Sequence, residues 1–118
     1  MSFASHTPNC PKRPMSHFWT LDSDKNPLPC DSIEEWSSWV GKSGRLVDND
    51  YVGHIEISTV AVGINCQQNP GEPPLIFETL VTDRLKDVQV SYHYATWEEA
   101  EKGHQKIVDK LKELVANG

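Results

Sequence analysis

Residues 88 to 114 read VQVSYHYATWEEAEKGHQKIVDKLKEL, and the spacing of the apolar residues changes within this stretch. From Val88 to Tyr94 apolar and polar side chains alternate, which predicts a half-buried strand. From Trp97 onward the apolar residues recur at steps of three and four, which predicts a helix of about nineteen residues. A strand followed at once by a long amphipathic helix is typical of an α+β domain whose helix packs across an antiparallel sheet.

The predicted C-terminal helix carries three local signals. Thr96 and Glu99 have the spacing of a capping box, which places the first turn of the helix here. Gly103 costs about 1 kcal/mol in a helix interior relative to alanine, so its presence indicates close approach of a strand or an aromatic ring. The aromatic candidates for this approach are Tyr92, Tyr94 and Trp97. His104 lies within the apolar stripe, and we expect it to be a core residue bonded to a backbone carbonyl.

The chain before this helix contains several strand-like segments. They are 17–21, 45–47, 51–64 and 75–82, in addition to 88–94. Asp48-Asn49-Asp50 is predicted to form a tight hairpin turn, and 83–87 a short connection. Strands joined by such short loops are antiparallel neighbours. The sequence therefore predicts an antiparallel meander of four to five strands.

A short amphipathic helix is predicted before the sheet. Ser32 and Glu35 have capping-box spacing at its start, and Gly41 stands where a left-handed residue closes a helix. Trp36 and Trp39 lie on or beside its apolar face, so we expect them to anchor it to the sheet. The same two tryptophans leave an apolar edge through which the chain can form a homo-oligomer.

Length and charge limit the classes of function. The 118 residues (13.3 kDa) allow one domain, which we assign to 15–118, preceded by a proline-rich flexible leader at 1–14. Met15 is a candidate alternative start. A net charge of −6 argues against direct nucleic-acid binding, which needs a basic surface. No run approaches 18 apolar residues, so we expect no transmembrane helix and no membrane partner.

The three cysteines, Cys10, Cys30 and Cys66, do not indicate cysteine chemistry or a metal site. None of them shows C-x-x-C spacing or stands near a histidine in a zinc-finger pattern. Without a recognisable export signal, we expect reduced thiols in a cytosol. The sequence predicts neither a cofactor nor a bound metal.

The candidate catalytic residues are Glu78, His93 and Glu56. If Phe77 pairs with Tyr92, Glu78 is a diagonal neighbour of His93 on one face of the sheet. Glu56 shares that face in one of two registers. His54 and Ser58 would then accompany it. Such a pair can act as a general base or hold a metal, whereas the structural alternatives are a solvated polar face or a buried ion pair. No nucleophile or oxyanion motif accompanies it, so an enzyme is not indicated.

Carboxylates occur in clusters along the chain. These are Asp22/Asp24, Asp31/Glu34/Glu35, Asp48/Asp50 and Glu98/Glu99/Glu101. Helix caps and turns account for several of them, which leaves a solvated acidic surface as the simplest interpretation. The functional alternative is a negative patch that engages a basic surface of another protein, including one normally occupied by nucleic acid.

Four blocks of the sequence resemble a known family. They are HFWTLD (17–22), ISTVAVG (57–63), PPLIFET (73–79) and YATWEEAEKGH (94–104). In combination they resemble the small proteins of unknown function that tailed bacteriophages and prophages encode, over about residues 15 to 114. The loop Asn65-Cys66-Gln67 departs from the family, in which a more acidic, histidine-containing loop is expected. The resemblance implies a phage origin and the host cytoplasm, and it implies no reaction.

Three functions follow as hypotheses. The first is an accessory phage protein that binds and inhibits a host protein, such as a defence component. The second is a small-ligand-binding protein or enzyme that uses the Glu/His sheet face. The third is a minor component of the virion.

Overall fold

The computed structural model describes residues 18–42, 44–69 and 71–117, without the side chain of the last. The predicted leader at 1–14 and the candidate start at Met15 lie outside the described residues. The elements, in chain order, are β1 (Trp19–Leu21), β2 (Pro27–Pro29), α1 (Ile33–Val40), β3 (Leu46–Val52), β4 (Ile55–Ala61), β5 (Phe77–Asp83), β6 (Val88–Tyr94) and α2 (Trp97–Asn117).

The described strands form two antiparallel sheets. The larger one has the order β3-β4-β5-β6, so each strand pairs with its neighbour in the chain, and the smaller one joins β1 to β2. Helix α2 lies against all four strands of the larger sheet. The prediction of an α+β fold with an antiparallel meander, a short first helix and a long C-terminal helix on the sheet is confirmed.

The core lies between α2 and one face of this sheet. One cluster surrounds Phe77, Tyr94 and Ala100, and a second joins Val108 of α2 to Val52 and Ile57. Other residues of the first cluster are Ala61 and Ile76, with Trp19 and Trp39 packed against it. Trp36 donates a hydrogen bond from Nε1 to the carbonyl oxygen of Val62. Both tryptophans of α1 thus fix the helix to the rest of the domain, as expected.

The predicted capping signals at both helices are confirmed. Ser32 accepts a hydrogen bond from the Glu35 N–H at 3.1 Å, and Thr96 accepts one from the Glu99 N–H at 3.0 Å. The carboxylate of Glu99 in turn accepts from the N–H of Ala95. These side chains satisfy backbone donors that the first turn of a helix leaves without partners.

Glycine geometry confirms one prediction and corrects another. A Cβ on Gly103 would lie 2.4 Å from the ring of Tyr94, so the aromatic approach inferred from the sequence is real and involves Tyr94. Gly41 closes α1 with a φ of −75°, in the right-handed region. The expected left-handed C-cap is therefore wrong, because the N–H of Gly41 continues the helical bonding to Ser37.

The prediction that Asp48-Asn49-Asp50 forms a turn is wrong. These residues lie within β3, and the hairpin turns instead at Gly53-His54, with Val52 opposite Ile55. Gly53 adopts a φ of +62°, which a two-residue hairpin loop favours and a glycine allows. The single strand predicted over 51–64 is consequently divided between β3 and β4. Aspartates are rare in strands, but here they lie on an edge strand.

The register of β5 with β6 differs from the prediction by two residues. Phe77 pairs with Tyr94 rather than Tyr92, and Glu78 lies directly opposite His93. The four residues 84–87 form the loop, because Asp83 already pairs with Val88. A shift of two residues keeps every side chain on its predicted face, since side-chain direction repeats every second residue.

The expectation of reduced thiols is wrong for Cys66, which is disulfide-bonded. Cys30 is free and buried, and burial raises the pKa of its thiol. Within the described part of the chain, no helix has both the length and the apolar character needed to cross a bilayer.

Candidate functional site

Glu78 and His93 form a pair on the sheet face opposite α2. The Nε2 atom of His93 lies 3.3 Å from Oε2 of Glu78, and the two residues are cross-strand partners. The His93 side chain is 2% exposed and that of Glu78 is 30% exposed. Burial of the imidazole excludes a freely solvated pair, and the contact is a partly buried carboxylate–imidazole pair.

Glu56 points to the same face but does not join this pair. It lies opposite Thr82, whereas Glu78 lies opposite Val60, so the two residues are offset along the strands by about four positions, roughly 13 Å. Arg84 donates a 2.8 Å hydrogen bond to Glu56, and Asn49 donates one at 3.2 Å. These two bonds lower the pKa of Glu56. The predicted trio is therefore a pair plus a separate ion pair.

The remaining members of the predicted group also separate. His54 lies in the β3–β4 turn, where its Nε2 is 3.3 Å from Oδ1 of Asp83. Burial is the largest single effect on the pKa of Asp83, and it acts to raise this pKa. The Lys86 N–H, the His54 charge and the Leu85 N–H lower it by more in total, so the pKa of Asp83 lies below its ordinary value. Ser58 lies on the face of Glu78, in the middle of β4.

A different cluster, which the sequence did not predict, surrounds His104. The imidazole is fully buried on α2, and its two nitrogens contact different strands. Nδ1 lies 2.7 Å from the hydroxyl of Thr59 on β4, and Nε2 lies 2.8 Å from Oδ2 of Asp50 on β3. Asp48 places a second carboxylate oxygen 3.7 Å from Nε2. The expected bond from His104 to a backbone carbonyl is replaced by these side-chain contacts.

The direction of each hydrogen bond in this cluster follows from the donors available. A carboxylate only accepts, so the proton between Asp50 and His104 belongs to Nε2. In the neutral imidazole Nδ1 then accepts from the hydroxyl of Thr59, which leaves the Thr59 oxygen to accept from Thr79. Three strands and the helix are joined by one continuous chain of hydrogen bonds.

The order carboxylate, imidazole and hydroxyl is that of an acid–base–nucleophile triad. Thr59 and Thr79 are both fully buried, however, so no substrate reaches either hydroxyl in this conformation. The buried end of the cluster therefore links α2 to the sheet. Its only side chains within reach of solvent are those of Asp48 and Asp50, which are 49% and 42% exposed.

Two sequence signals, taken together, could have identified this cluster. A histidine in an apolar helical stripe requires a polar partner in the core, because a buried polar group without one is costly. The spacing Asp48-x-Asp50 places two carboxylates on one face of any strand that contains them. Because residues 48–50 were predicted to form a turn, no strand was expected there, and the two aspartates were not recognised as partners of His104.

A groove of about 310 Å³ lies on the other side of α2. Val81, Val90 and Tyr92 of the sheet line it together with Ile107 and Leu111 of the helix. Val88 of β6 and Leu114 of α2, on the two elements that line the groove, are also 48% and 55% exposed. Exposed apolar patches of a few hundred Å² or more mark contact sites on protein surfaces.

Two lysines give the groove a positive charge. Lys106 and Lys110 both line it, one helical turn apart. The Lys110 ammonium lies 3.4 Å from the carboxylate of Glu113, and both side chains are well exposed. An exposed pair of this kind is weak, so it does not prevent Lys110 from meeting another anion. The groove therefore combines an apolar lining with cations in a chain of net charge −6.

Comparison with models of protein families, with curated proteins and with solved structures found no match for this chain.

Proposed function

We propose that the protein is a non-catalytic binding protein that attaches to a host protein through the groove between α2 and strands β5 and β6. The observation that carries this proposal is the groove itself, with its apolar lining and its two lysines. As the sequence resemblance implies, the host is a bacterium infected by a tailed phage. We propose that binding inhibits the host protein.

The chemistry of the groove defines the partner. Apolar side chains provide the buried centre of an interface, and charges at its border provide orientation and specificity. A segment that fits has one or two large apolar side chains, which enter beside Ile107 and Leu111. It also carries a carboxylate that meets Lys106 or Lys110. The partner surface is therefore apolar with acidic residues beside it.

The acidic clusters support a different contact, with a basic surface, and that interpretation stays a prediction. Asp48 and Asp50 are directed to His104, so part of this negative charge is engaged within the domain. Two other hypotheses also stay predictions. One is that the Glu78–His93 face binds a small ligand, and the other is that the protein is a component of the virion. The groove is the surface on which the present proposal rests.

The host cytoplasm is the location that accompanies this proposal. The disulfide at Cys66 counts against this location, because disulfides persist mainly in oxidising compartments. The redox state of Cys66 in infected cells is the relevant test. A reduced thiol there agrees with the cytoplasm, and a stable disulfide argues against it.

Paired charge reversals on α2 test the proposed function. Lys106→Glu with Lys110→Glu alters the groove, whereas Lys102→Glu with Lys112→Glu makes the same charge change at exposed positions of the helix that do not line it. Each protein is immobilised and exposed to lysate of the infected host, and the captured proteins are quantified by mass spectrometry.

The proposal requires one host protein at near-equimolar amount on the wild type and the control pair, and its loss from the groove pair. Equal capture by all three proteins contradicts the proposal, as does no capture. Size-exclusion chromatography of the same proteins identifies a second copy as the occupant. A dimer that only the groove pair loses overturns the assignment to a host protein.

A further inference from the structure

The cluster around His104 combines three groups that bind metal ions. One ring nitrogen of His104 and one carboxylate oxygen each of Asp48 and Asp50 lie within 4.8 Å of one another. The carboxylates are about half exposed, whereas the imidazole is fully buried. We infer that Asp48, Asp50 and His104 form a binding site for a divalent transition-metal ion, with Zn²⁺ as the ion to test. This inference is independent of the proposed function.

Two of the three separations between these atoms lie near those of a zinc site. Zinc lies about 2.0–2.2 Å from nitrogen and carboxylate oxygen ligands, so two ligands of a tetrahedral ion are roughly 3.4 Å apart. Nε2 of His104 is 2.8 Å from the Asp50 oxygen and 3.7 Å from the Asp48 oxygen. The ligand atoms all lie within 4.8 Å of one another, and both carboxylates reach solvent, so an ion requires these two side chains to turn toward it.

The ring of His104 is already held in place through its second nitrogen, as the rings of metal-ligating histidines usually are. Thr59 contacts Nδ1, and it is itself bonded to Thr79 on the next strand. Such outer contacts fix the orientation of a ligating imidazole and raise metal affinity. Thr59 and Thr79 therefore hold the imidazole in position, and an ion reaches the site from solvent on the side of the exposed carboxylates.

Metal binding requires a change of tautomer at His104. The proton on Nε2 has to leave this nitrogen, and in a neutral imidazole it moves to Nδ1. Nδ1–H then donates to the Thr59 oxygen, and the Thr59 hydroxyl donates to the oxygen of Thr79. The number of protons on the imidazole is unchanged, so the chain of hydrogen bonds reverses without losing a member.

A hydrogen-bond acceptor is available at the end of the reversed chain. After reversal the Thr79 hydroxyl needs an acceptor, and the buried phenol oxygen of Tyr94 makes no hydrogen bond of normal geometry in the structure. Tyr94 pairs with Phe77 and Thr79 pairs with Tyr92, so Thr79 and Tyr94 are diagonal neighbours on the sheet face that packs against α2. Tyr94 is therefore the group that completes the chain in the metal-bound form.

Two carboxylates facing one imidazole also favour a cation. Asp50 is bonded to Nε2, but Asp48 adds a second negative charge beside it without a bond to the same ring. An ion with one nitrogen and two oxygen ligands neutralises both carboxylates and retains water at its remaining positions. This donor set suits Zn²⁺ or Mn²⁺ better than Ca²⁺ or Mg²⁺, which prefer oxygen alone.

The test is calorimetric titration of the full chain with zinc chloride at pH 7. Asp48→Asn is the main variant, because its side chain is exposed and is not the one bonded to His104. Asp24→Asn, in an exposed turn, removes one carboxylate elsewhere, and His54→Ala removes the exposed His54–Asp83 pair as a competing site. Magnesium chloride serves as the oxygen-preferring control ion.

One zinc site in the wild type, weakened at least tenfold in Asp48→Asn and retained in both controls, supports the inference. Unchanged affinity in Asp48→Asn overturns it, as does loss of the site in His54→Ala. Long-range ¹H–¹⁵N spectra give a second readout. The metal site predicts that zinc moves the His104 proton from Nε2 to Nδ1, and a ring that keeps its Nε2 proton at saturating zinc contradicts the site.

Discussion

The Nε2 atom of His104 lies 2.8 Å from Oδ2 of Asp50, across 54 positions of the chain. This contact joins the last helix to the first strand of the main sheet. It is charge-assisted and protected on the helix side, because the imidazole is fully buried. The same histidine reaches β4 through Thr59, so one side chain fixes the position of α2 against two strands.

Replacement of Thr59 with valine should reveal the strength of this link. Valine keeps the shape of the side chain but removes the hydroxyl, which leaves Nδ1 of His104 buried without a donor. We expect a loss of about 1–3 kcal/mol in the free energy of unfolding, the usual cost of such a group. Urea unfolding followed by tryptophan fluorescence measures it. Thr82→Val, on the opposite face, should change stability little, and equal effects at both positions would refute the link.

Gly103→Ala should destabilise the domain although alanine is the better helix former. The new Cβ would overlap the ring of Tyr94, and overpacking costs about 1–3 kcal/mol, which exceeds the gain of up to about 1 kcal/mol in helix propensity. Gly41→Ala is the control, because its Cβ would meet no atom closer than 3.8 Å. Thermal unfolding should show a lower Tm for the first variant only. A higher Tm for Gly103→Ala would mean that the aromatic contact is wrong.

The ion pair of Glu56 with Arg84 predicts a specific pH dependence. The Arg84 and Asn49 hydrogen bonds hold the pKa of Glu56 below its ordinary value of 4.5. A lowered folded-state pKa contributes stability that is present above the unfolded value and lost as the pH falls through the folded one. Arg84→Gln should therefore raise this pKa and reduce stability above pH 4.5. Carboxyl ¹³C titration by NMR measures the change, and Lys86→Gln, in the same turn, should leave Glu56 almost unchanged.

The two described cysteines should differ in reactivity. Cys30 is buried and burial raises the pKa of its thiol, so a maleimide should label it slowly in the native protein and fully after unfolding. Cys66 should remain unlabelled after unfolding until a reductant is added. Peptide mapping by mass spectrometry distinguishes the two sites. Labelling of Cys66 in the unfolded, unreduced chain would contradict its disulfide.

The sequence predicted elements whose signals are local. The alternation ending at Tyr94 and the capping residues Ser32 and Thr96 depend on near neighbours, and the structure confirms them. The turn predicted at Asp48 and Asp50 was wrong because aspartates favour turns locally, whereas in the structure a histidine far along the chain gives both carboxylates a partner within a strand.

For the candidate site, too, local patterns were predictable from the sequence and contacts between distant segments were not. The Glu78–His93 pair was predicted from strand alternation, and it tolerated a two-residue error in register. The cluster at His104 combines groups from a helix and three strands, so no local pattern reveals it. The groove likewise depends on where Ile107 and Leu111 of α2 settle on the sheet, which periodicity along the chain does not determine.

We propose that the groove beside α2 receives a host protein, and site-specific photo-cross-linking is the most direct test of this contact. A benzophenone side chain is placed at position 110, in the groove, or at position 102, exposed on the same helix outside it. The proteins are expressed in infected host cells and irradiated. We expect a cross-link to one host protein from position 110 that is absent from position 102. The same cross-links from both positions, or none from position 110, would contradict it.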